Sequence, residues 1–392
     1  MFLPEPPARI FARRLFPGGG REALENRVVE ISGRRIVTVR KAAASDARDR
    51  GTLDCDILAP GFIDLQINGA GDRQFNFDPT PESLRIMAEA ASRGGTALIM
   101  PTFITEEGVA YRKAIEAVSR ALADETPGIL GLHLEGPFLS PERPGIHPSH
   151  AIREMREDDL ASLEDAARAM PLLVTLAPER VSDACLLALE AAGAKVFAGH
   201  SNADADRIDR AARHALRGAT HLFNAMSQMT SREPGVAGAV LASETLFAGI
   251  IADGHHVDWR TVKVALRAMA GRLFLVTDAM LTLAGTVTAF ELGGRAIGLS
   301  DGRLASADGT LAGAHVDMVT CVRNAMTYGG CTLAEALDMA SGIPAKALGL
   351  ADSVGRVEAG QRACCTMLSD SLEVLGVLSA QPSDGDDTKP TV

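Results

Sequence analysis

Four polar side chains in this sequence each stand where a short apolar run stops. They are Glu135, His200, His221 and Asp278. One carboxylate and two imidazoles suit a divalent metal ion with an open coordination position, and a second carboxylate beside them suits proton transfer. Any one of them alone would be read as a structural histidine or as half of an ion pair. Four of them at the ends of four separate apolar runs favour a single shared site.

The elements that carry these residues repeat along the chain. Predicted strands lie at 61–67, 96–101, 129–135, 172–177, 195–200, 218–222, 247–252 and 273–278. Between them, apolar residues at helical spacing predict helices such as 81–93, 109–123 and 204–217. Alternating strands and helices predict an α/β fold, a (β/α)8 TIM-like barrel. The carboxyl ends of all its strands open on one face, so the four polar residues are expected to meet there.

The two ends of the chain predict a second unit. Short β-like pieces lie at 27–31, 35–39, 355–357 and 372–377. We therefore predict a small β-sandwich domain formed from both chain ends, residues 1–57 and 351–380, beside a barrel of residues 58–350. Within the barrel, 287–304 predicts a hairpin over its end, followed by two helices that end near residue 350. The Ser-, Asp- and Pro-rich segment 381–392 is predicted to be disordered.

Composition excludes several classes of function. The 392 residues carry a net charge of -11, which argues against general binding to nucleic acid or to anionic membranes. An anionic substrate would therefore need local basic groups. The six cysteines show no CxxC spacing, and no apolar run reaches the length of a signal peptide or a membrane span. These observations predict a cytoplasmic protein in a reducing compartment.

Three further side chains lie near the predicted metal site. Gln66 and Asn68 end the first barrel strand on the same side, either to hydrogen-bond loop backbone or to hold water or a weak second ion. Because amides are poor zinc ligands, one metal is the better hypothesis. His147, in the loop after the Glu135 strand, is placed to donate a hydrogen bond to a polarised carbonyl oxygen, with solvent exposure as the alternative.

The sequence also gives expectations for four other basic or imidazole side chains. His133, two residues before Glu135, is expected to pack beneath the site. His255 and His256 are adjacent, so in an extended chain only one of them can point into the pocket. Arg232 lies in a turn-forming loop after His221 and is a candidate for binding phosphate or carboxylate, with a surface ion pair as the alternative.

A set of motifs gives these positions a family context. They read PGFIDLQING at 60–69, HLEGP at 133–137, AGHSN at 198–202, THLFNAM at 220–226, REPG at 232–235, IADGHHVD at 251–258 and LVTDA at 275–279. Together they resemble the N-acetylglucosamine-6-phosphate deacetylases of the amidohydrolase superfamily, over residues 58 to 350. The resemblance implies a metal-dependent enzyme that releases acetate and glucosamine 6-phosphate.

The resemblance also implies roles for individual residues. It makes the metal ligands Glu135, His200 and His221, the catalytic acid/base Asp278, the carbonyl-polarising residue His147, and the sugar-phosphate contacts Asn224, Ala225 and His256. It implies one divalent metal ion per subunit, zinc or else iron, cobalt or manganese. It further implies a homodimer, in which Arg232 reaches the phosphate in the neighbouring active site.

Two departures from the family pattern and two rival functions stay open at this point. Ala314 and His315 follow the glycine of a late Leu-Ala-Gly motif where the family often has serine, and Cys364-Cys365 replaces the usual pattern of the last strand. One rival is a related amidohydrolase for another N-acyl substrate, such as N-acetylgalactosamine 6-phosphate or an N-acyl amino acid. The other is a catalytically inactive barrel that senses a sugar phosphate.

Overall fold

The computed structural model of the chain describes residues 1–3, 5–43, 46 and 51–380. The segment 381–392, predicted to be disordered, lies outside these residues. Within them, no helix is both long and apolar enough to cross a membrane.

A parallel barrel forms the centre of the described structure. Its eight strands are Phe62–Ile67, Thr96–Ile104, Leu132–Glu135, Leu172–Leu176, Lys195–Ala198, Leu216–Ala219, Phe247–Ile251 and Leu273–Val276, each paired with its neighbour in chain order. Just beyond the last strand, the Asp278 N–H donates to the Gln66 carbonyl at 2.8 Å and the Asn68 N–H donates to the Ala279 carbonyl at 2.8 Å. These bonds join the last strand to the first, and they confirm the predicted (β/α)8 barrel.

Helices surround the barrel and follow its strands. The described α-helices are Pro81–Ser92, Tyr111–Ala123, Glu157–Ala169, Asp183–Ala191, Ala205–His214, Gly235–Ala242, Trp259–Ala268, Met318–Asn324, Leu333–Ala340 and Gly342–Leu348. The Asp204 side chain accepts from the Arg207 N–H, and Thr80 accepts from Ser83 ahead of Pro81, so capping residues begin two of the three predicted helices. The predicted pair of late helices is instead a set of three, with a π-helical turn, Ala325–Gly329, after the first.

Both chain ends contribute to one mixed sheet, as the fold-class prediction required. Its described strands are, in spatial order, Val374–Leu378, Cys365–Leu368, Thr52–Pro60, Arg9–Leu15, Leu24–Ser32 and Arg35–Lys41. The strand that contains Cys365 pairs antiparallel with both of its neighbours, so the cysteine pair does not disturb the last strands. The domain boundaries stay a prediction, because Thr52–Pro60 leads directly into the first barrel strand.

The prediction of a strand at 355–357 is wrong. Gly355 has φ +91°, and a Cβ there would lie 3.1 Å from Gly342 and 3.2 Å from the Ser341 carbonyl. Gly355 thus has a left-handed backbone and lies close to the start of the helix Gly342–Leu348, and both features require glycine. A left-handed residue interrupts an extended chain.

A small antiparallel sheet lies over the barrel mouth where a hairpin was predicted. It has three described strands, Ala289–Leu292, Arg295–Ser300 and Arg303–Ser306. We call these strands the flap. A separate apolar cluster includes Leu292, Ile297 and Leu304 of the flap together with Ile104 and Met280 of the barrel. A further short ribbon, Gly69–Ala70 with Arg73–Gln74, follows the first barrel strand.

Candidate active site

The four predicted residues lie at one end of the barrel, at or just beyond the ends of their strands. Glu135 is the last residue of its strand, whereas His200, His221 and Asp278 each follow a strand by two residues. These three have φ of +48°, +31° and +50°. A left-handed backbone is uncommon for residues with a Cβ and is concentrated at functional sites, where the surrounding structure must hold it. The turn after each strand aims these side chains inward.

Glu135, His200 and His221 converge on one point, as predicted. Glu135 Oε1 lies 3.1 Å from His200 Nε2 and 2.9 Å from His221 Nε2, and the two Nε2 atoms lie 3.1 Å apart. All three residues are buried. Among the described residues, they form the one group of three or more His, Cys, Asp or Glu side chains whose ligand atoms fall within 4.8 Å of one another.

The chemistry of this trio fits a divalent cation. His200 Nδ1 lies 3.0 Å from the Arg143 carbonyl, which can only accept, so the ring proton is on Nδ1 when the imidazole is neutral. Its Nε2 lone pair then faces the Glu135 carboxylate and His221 Nε2. Three electron-pair donors this close to one another need a positive charge or a proton between them. The bond from His200 Nδ1 to the Arg143 carbonyl is of the type that orients histidines that bind metals.

Asp278 lies beside this trio with different hydrogen-bond partners. Its Oδ1 accepts from Asn68 Nδ2 at 2.7 Å and from Gln66 Nε2 at 3.1 Å. Gln66 Nε2 also lies 3.3 Å from Glu135 Oε2, so this amide bridges the two carboxylates. Burial, followed by the charge of Glu135, raises the pKa of Asp278 to about 6. A carboxylate with such a pKa suits proton transfer near neutral pH.

Gln66 and Asn68 therefore act as donors to carboxylates in this arrangement. Their oxygens, Gln66 Oε1 and Asn68 Oδ1, are buried and have no described hydrogen-bond partner. Whether these oxygens hold water or a weak second ion stays the prediction made from the sequence.

His147 is buried next to the trio, so its predicted alternative of solvent exposure is wrong. Its ring centroid lies 4.2 Å from that of His200, and its Nδ1 lies 2.8 Å from Thr105 Oγ1. Burial, followed by the charge of His200, lowers the pKa of His147 well below its usual value. The ring is thus neutral, with a single N–H.

A cavity of about 380 Å³ opens beside these residues. It is lined by Asn68, Glu135, His147, His200, His221 and Asp278, by Asn224, Ala225 and His256, by Glu142 and Arg143, and by Ile104, Ile146, Met280, Leu292 and Leu311, among others. His256 Nδ1 pairs with Asp253 Oδ2 at 2.7 Å. Ala225 has φ +47°, and none of the described residues accepts a hydrogen bond from its N–H. The cavity combines polar groups with an apolar wall that includes Leu292 of the flap.

The structure separates several other predicted residues from this cavity. Arg232 is exposed and does not line it, and His255 is exposed beside the flap. His133 lies inside the barrel, where its ring bonds to Thr102 at 3.1 Å and to Thr175 at 2.8 Å, as the prediction of packing beneath the site required. His315 bonds to Thr282 at 2.9 Å.

Two residues of the site were not predicted from the sequence, Arg143 and Thr105. Arg143 lies four residues before His147, in a loop whose path no hydrophobic pattern reveals. Thr105 directly follows the second barrel strand, and this strand-end position is the signal that could have identified it.

Comparison with known proteins places the chain in a family. The model of the amidohydrolase family matches residues 57–385. The chain is 39% identical over 328 residues to an N-acetylgalactosamine-6-phosphate deacetylase of Shewanella sp. strain ANA-3, covering 83% of this chain and 82% of the relative. It is 36% identical over 327 residues to an N-acetylglucosamine-6-phosphate deacetylase of Haemophilus influenzae, covering 82% and 84%.

Solved structures agree with this result. The crystal structure of N-acetylglucosamine-6-phosphate deacetylase from Pasteurella multocida superposes with a TM-score of 0.90 at 32% identity, covering 95% of this chain and 97% of that one. The fold, the convergence of Glu135, His200 and His221, and the family match point to the same conclusion. The chain belongs to the amidohydrolase family of hydrolytic enzymes.

Proposed function

We propose that this enzyme hydrolyses the acetamide of N-acetylglucosamine 6-phosphate to acetate and glucosamine 6-phosphate. The convergence of Glu135, His200 and His221 beside Asp278, in a cavity large enough for a hexosamine phosphate, carries this proposal. The names of the similar proteins support the substrate class. A catalytically inactive sensor would not need the proton-transfer group next to the metal-ligating trio.

In the proposed reaction, Asp278 handles the protons. Glu135, His200 and His221 would hold a divalent ion, which would supply Lewis acidity for the hydrolysis. The Asp278 carboxylate takes the proton of the attacking water and returns it to the amide nitrogen, because an amine leaves only once it is protonated. Asn68 and Gln66 hold Asp278 Oδ1 in position for both transfers. A hydrogen bond from His147 stabilises the developing oxyanion.

The same cavity supplies contacts for the sugar phosphate. We assign Asn224, the Ala225 backbone and His256 to this role. The unpartnered Ala225 N–H can donate to a phosphate oxygen, and the bond from His256 Nδ1 to Asp253 leaves its Nε2 available for the substrate. Leu292 and Leu311 line the apolar wall, against which the acetyl methyl group can pack.

We further propose one zinc ion per subunit, a homodimer and a cytoplasmic location. Two imidazoles and a carboxylate are common zinc ligands, although iron, cobalt and manganese also accept them. The exposed Arg232, which has no described partner in its own chain, is free to reach the neighbouring active site. All six cysteines are unpaired, in keeping with a reducing compartment. Metal analysis of the purified enzyme and its mass in solution test the first two points.

The galactosamine epimer is the second candidate substrate, because a relative at 39% identity is named for it. The deciding experiment measures acetate release from N-acetylglucosamine 6-phosphate, N-acetylgalactosamine 6-phosphate and both unphosphorylated sugars. We expect the highest kcat/KM with the first of these. A preference for the galacto epimer would replace the proposed substrate, and absence of acetate release with added zinc, iron, cobalt or manganese would reject the deacetylase function.

A further inference from the structure

One cationic side chain of this chain, Arg143, lies at the rim of the active-site cavity. Arg143 is the only lysine or arginine among the described residues that line the cavity. The lining also includes the acid Glu142, which is not among the proposed metal ligands, and the whole chain carries a net charge of -11. Negative charge repels a phosphate group that enters the cavity unless a positively charged group lies opposite it.

The Arg143 side chain is held in place at its Nε, whereas its two terminal nitrogens have no described partner. Its Nε donates to Asn202 Oδ1 at 2.9 Å. Neither Nη1 nor Nη2 has a hydrogen-bond or ion-pair partner among the described residues. The adjacent carboxylate, Glu142, accepts from Ser140 Oγ at 2.5 Å instead. The side chain therefore keeps two donor groups for a molecule that the chain itself does not supply.

The loop that contains Arg143 packs against both parts of the site. The backbone carbonyl of Arg143 accepts a hydrogen bond from His200 Nδ1 at 3.0 Å. Two residues later, a Cβ on Gly145 would lie 3.1 Å from His200 Cε1 and 3.7 Å from the Ala225 Cβ. Asn202, which anchors the guanidinium, follows Ser201, and Ser201 forms a parallel bridge with Met226. Arg143 thus adjoins the turn at 224–226, where the Ala225 N–H has no partner among the described residues.

We propose that Arg143 binds the phosphate of the sugar substrate from within the same chain, together with the Ala225 N–H. This inference rests on the proposed function, and it adds a cation of the same chain to the Arg232 that the neighbouring subunit is proposed to contribute. The planar guanidinium can give two parallel hydrogen bonds to phosphate oxygens, which a lysine cannot match. His256 cannot fill this role alone, because it is already paired with the Asp253 carboxylate.

Steady-state kinetics of Arg143→Gln, Arg143→Lys and the control Arg180→Gln test the proposal. The control R180Q removes the same charge close to the site. Arg180 pairs with Glu154, however, and does not line the cavity. Hydrogen bonds to charged groups contribute enough that we expect R143Q to raise KM for the phosphorylated sugar by about 10- to 100-fold, with kcat changed little. R143K should recover part of this loss, and R180Q should behave as the unchanged enzyme.

The unphosphorylated sugar separates phosphate binding from a structural role. Because the backbone carbonyl and not the side chain of Arg143 contacts His200, the variants should keep their metal content and their kcat/KM for N-acetylglucosamine. An equal loss with both sugars, or a KM for the phosphorylated sugar in R143Q that matches R180Q, would overturn the proposal.

Binding of glucose 6-phosphate, measured by calorimetry, keeps this test independent of the deacetylase function. This ligand carries the phosphate but no acetamide. The unchanged protein should bind it at least about 10-fold more tightly than R143Q does. Equal affinities, or no binding by either protein, would refute the role of Arg143 whether or not acetate is released from any substrate.

Discussion

Asp278 and Glu135 are both buried carboxylates at one barrel end, but their neighbours give them different chemistry. Burial would raise the pKa of Glu135, but the two imidazoles beside it outweigh this effect and lower its pKa well below the usual value. The described donors to the Asp278 side chain are amides, and burial, followed by the charge of Glu135, raises the pKa of Asp278 to about 6. Two carboxylates with opposed shifts commonly divide the roles of ligand and proton carrier.

Replacing Asp278 with asparagine tests this division of roles. The change keeps the shape of the side chain and leaves the metal-ligating trio intact, so the metal content should stay at that of the unchanged protein. Turnover should fall by a factor of about 100 or more, because a proton-transfer group is lost. Acetate release and metal analysis on the same preparation give both values. Full activity of D278N would end the proposed role, and loss of the metal would reassign Asp278 to metal binding.

Thr105 determines whether His147 can act as proposed. The neutral His147 ring donates from Nε2 only if its Nδ1 is the acceptor, which requires the Thr105 hydroxyl to point toward it. The other acceptor near this hydroxyl, the Glu135 carbonyl, lies farther away at 3.3 Å. A hydrogen bond donated by the Thr105 hydroxyl to His147 Nδ1 would place the ring proton of His147 on Nε2.

Thr105→Val should therefore lower kcat about 10-fold or more with little change in KM, because the tautomer that donates to the oxyanion is no longer favoured. Thr105→Ser keeps the hydroxyl and serves as the matched control. Rates for the two variants decide the point: similar rates for the valine and serine variants would contradict the role given to Thr105.

At the level of elements, the strand ends were predictable and the loops were not. Apolar runs located the eight barrel strands closely, since a buried parallel strand is apolar on both faces. Glu135, His200, His221 and Asp278 could be found because each interrupts such a run. Arg143 could not, because its contribution depends on a loop that folds back against His200. Gly355 was misread as part of a strand because its close contact with Gly342 comes from tertiary packing.

The flap over the barrel mouth is held at its start by a single side chain. Asp72 accepts from the Thr286 N–H at 2.7 Å, the Val287 N–H at 2.8 Å and the Thr286 hydroxyl at 3.0 Å. These bonds join the loop after the first barrel strand to the segment that enters the flap. Since Leu292 of the flap lines the cavity, the anchor contributes to the shape of the substrate site.

Asp72→Ala should loosen the flap without unfolding the barrel. We expect faster amide hydrogen exchange across 289–306 and a KM raised about 3- to 10-fold, as expected when bonds worth roughly 1 kcal/mol each are lost. Glu291→Ala changes an exposed acid within the flap that has no described partner, and it is the control. Unchanged exchange in D72A would show that the apolar cluster alone holds the flap.

A buried ion pair connects two helices with the loop that follows the active site. Asp159 accepts from Tyr111 Oη at 2.7 Å, from both Arg153 Nη atoms at 2.5 and 2.8 Å, and from the Arg156 N–H at 2.9 Å. Burial alone would raise the pKa of Asp159, but the bonds from Arg153 and Tyr111 outweigh it and lower the pKa to about 2.

This lowered pKa predicts how stability depends on pH. In the unfolded chain an aspartate has a pKa of about 3.9. The stabilisation by Asp159 is therefore complete above that pH, and it is lost as the pH falls toward the folded-state pKa of about 2. Asp159→Asn should reduce the free energy of unfolding at pH 7 by about 3 kcal/mol. This difference between the variant and the unchanged protein should become smaller below about pH 4. Urea titrations at several pH values measure this. The exposed Asp165→Asn should change stability by less than about 0.5 kcal/mol, and a gap for D159N that does not depend on pH would contradict the assignment.

At the scale of the whole molecule, the terminal sheet supports the end of the barrel opposite to the site. Thr366 Oγ1 donates to the Gly95 carbonyl at 2.7 Å and accepts from the Phe62 N–H at 3.3 Å, and the Gly61 N–H donates to the Cys364 carbonyl. Residues near the C-terminal end thus fix the starts of the first two barrel strands. The sequence predicted that both ends share one unit, but the identity of these bonds depends on strand register, which the sequence did not reveal.

The proposed metal ligands lie at or just beyond the ends of three separate barrel strands, so metal binding should stabilise the entire fold. A ligand that binds only the native state adds about 4 kcal/mol when its free concentration is 1,000 times its dissociation constant. Chelation should therefore lower the melting temperature of the purified enzyme by several degrees, and added zinc should restore it. D278N should respond in the same way, whereas H221A, which lacks a ligand, should respond much less. Metal analysis should show that the chelator has removed the ion. If the melting temperature is then unchanged, Glu135, His200 and His221 do not bind the ion together.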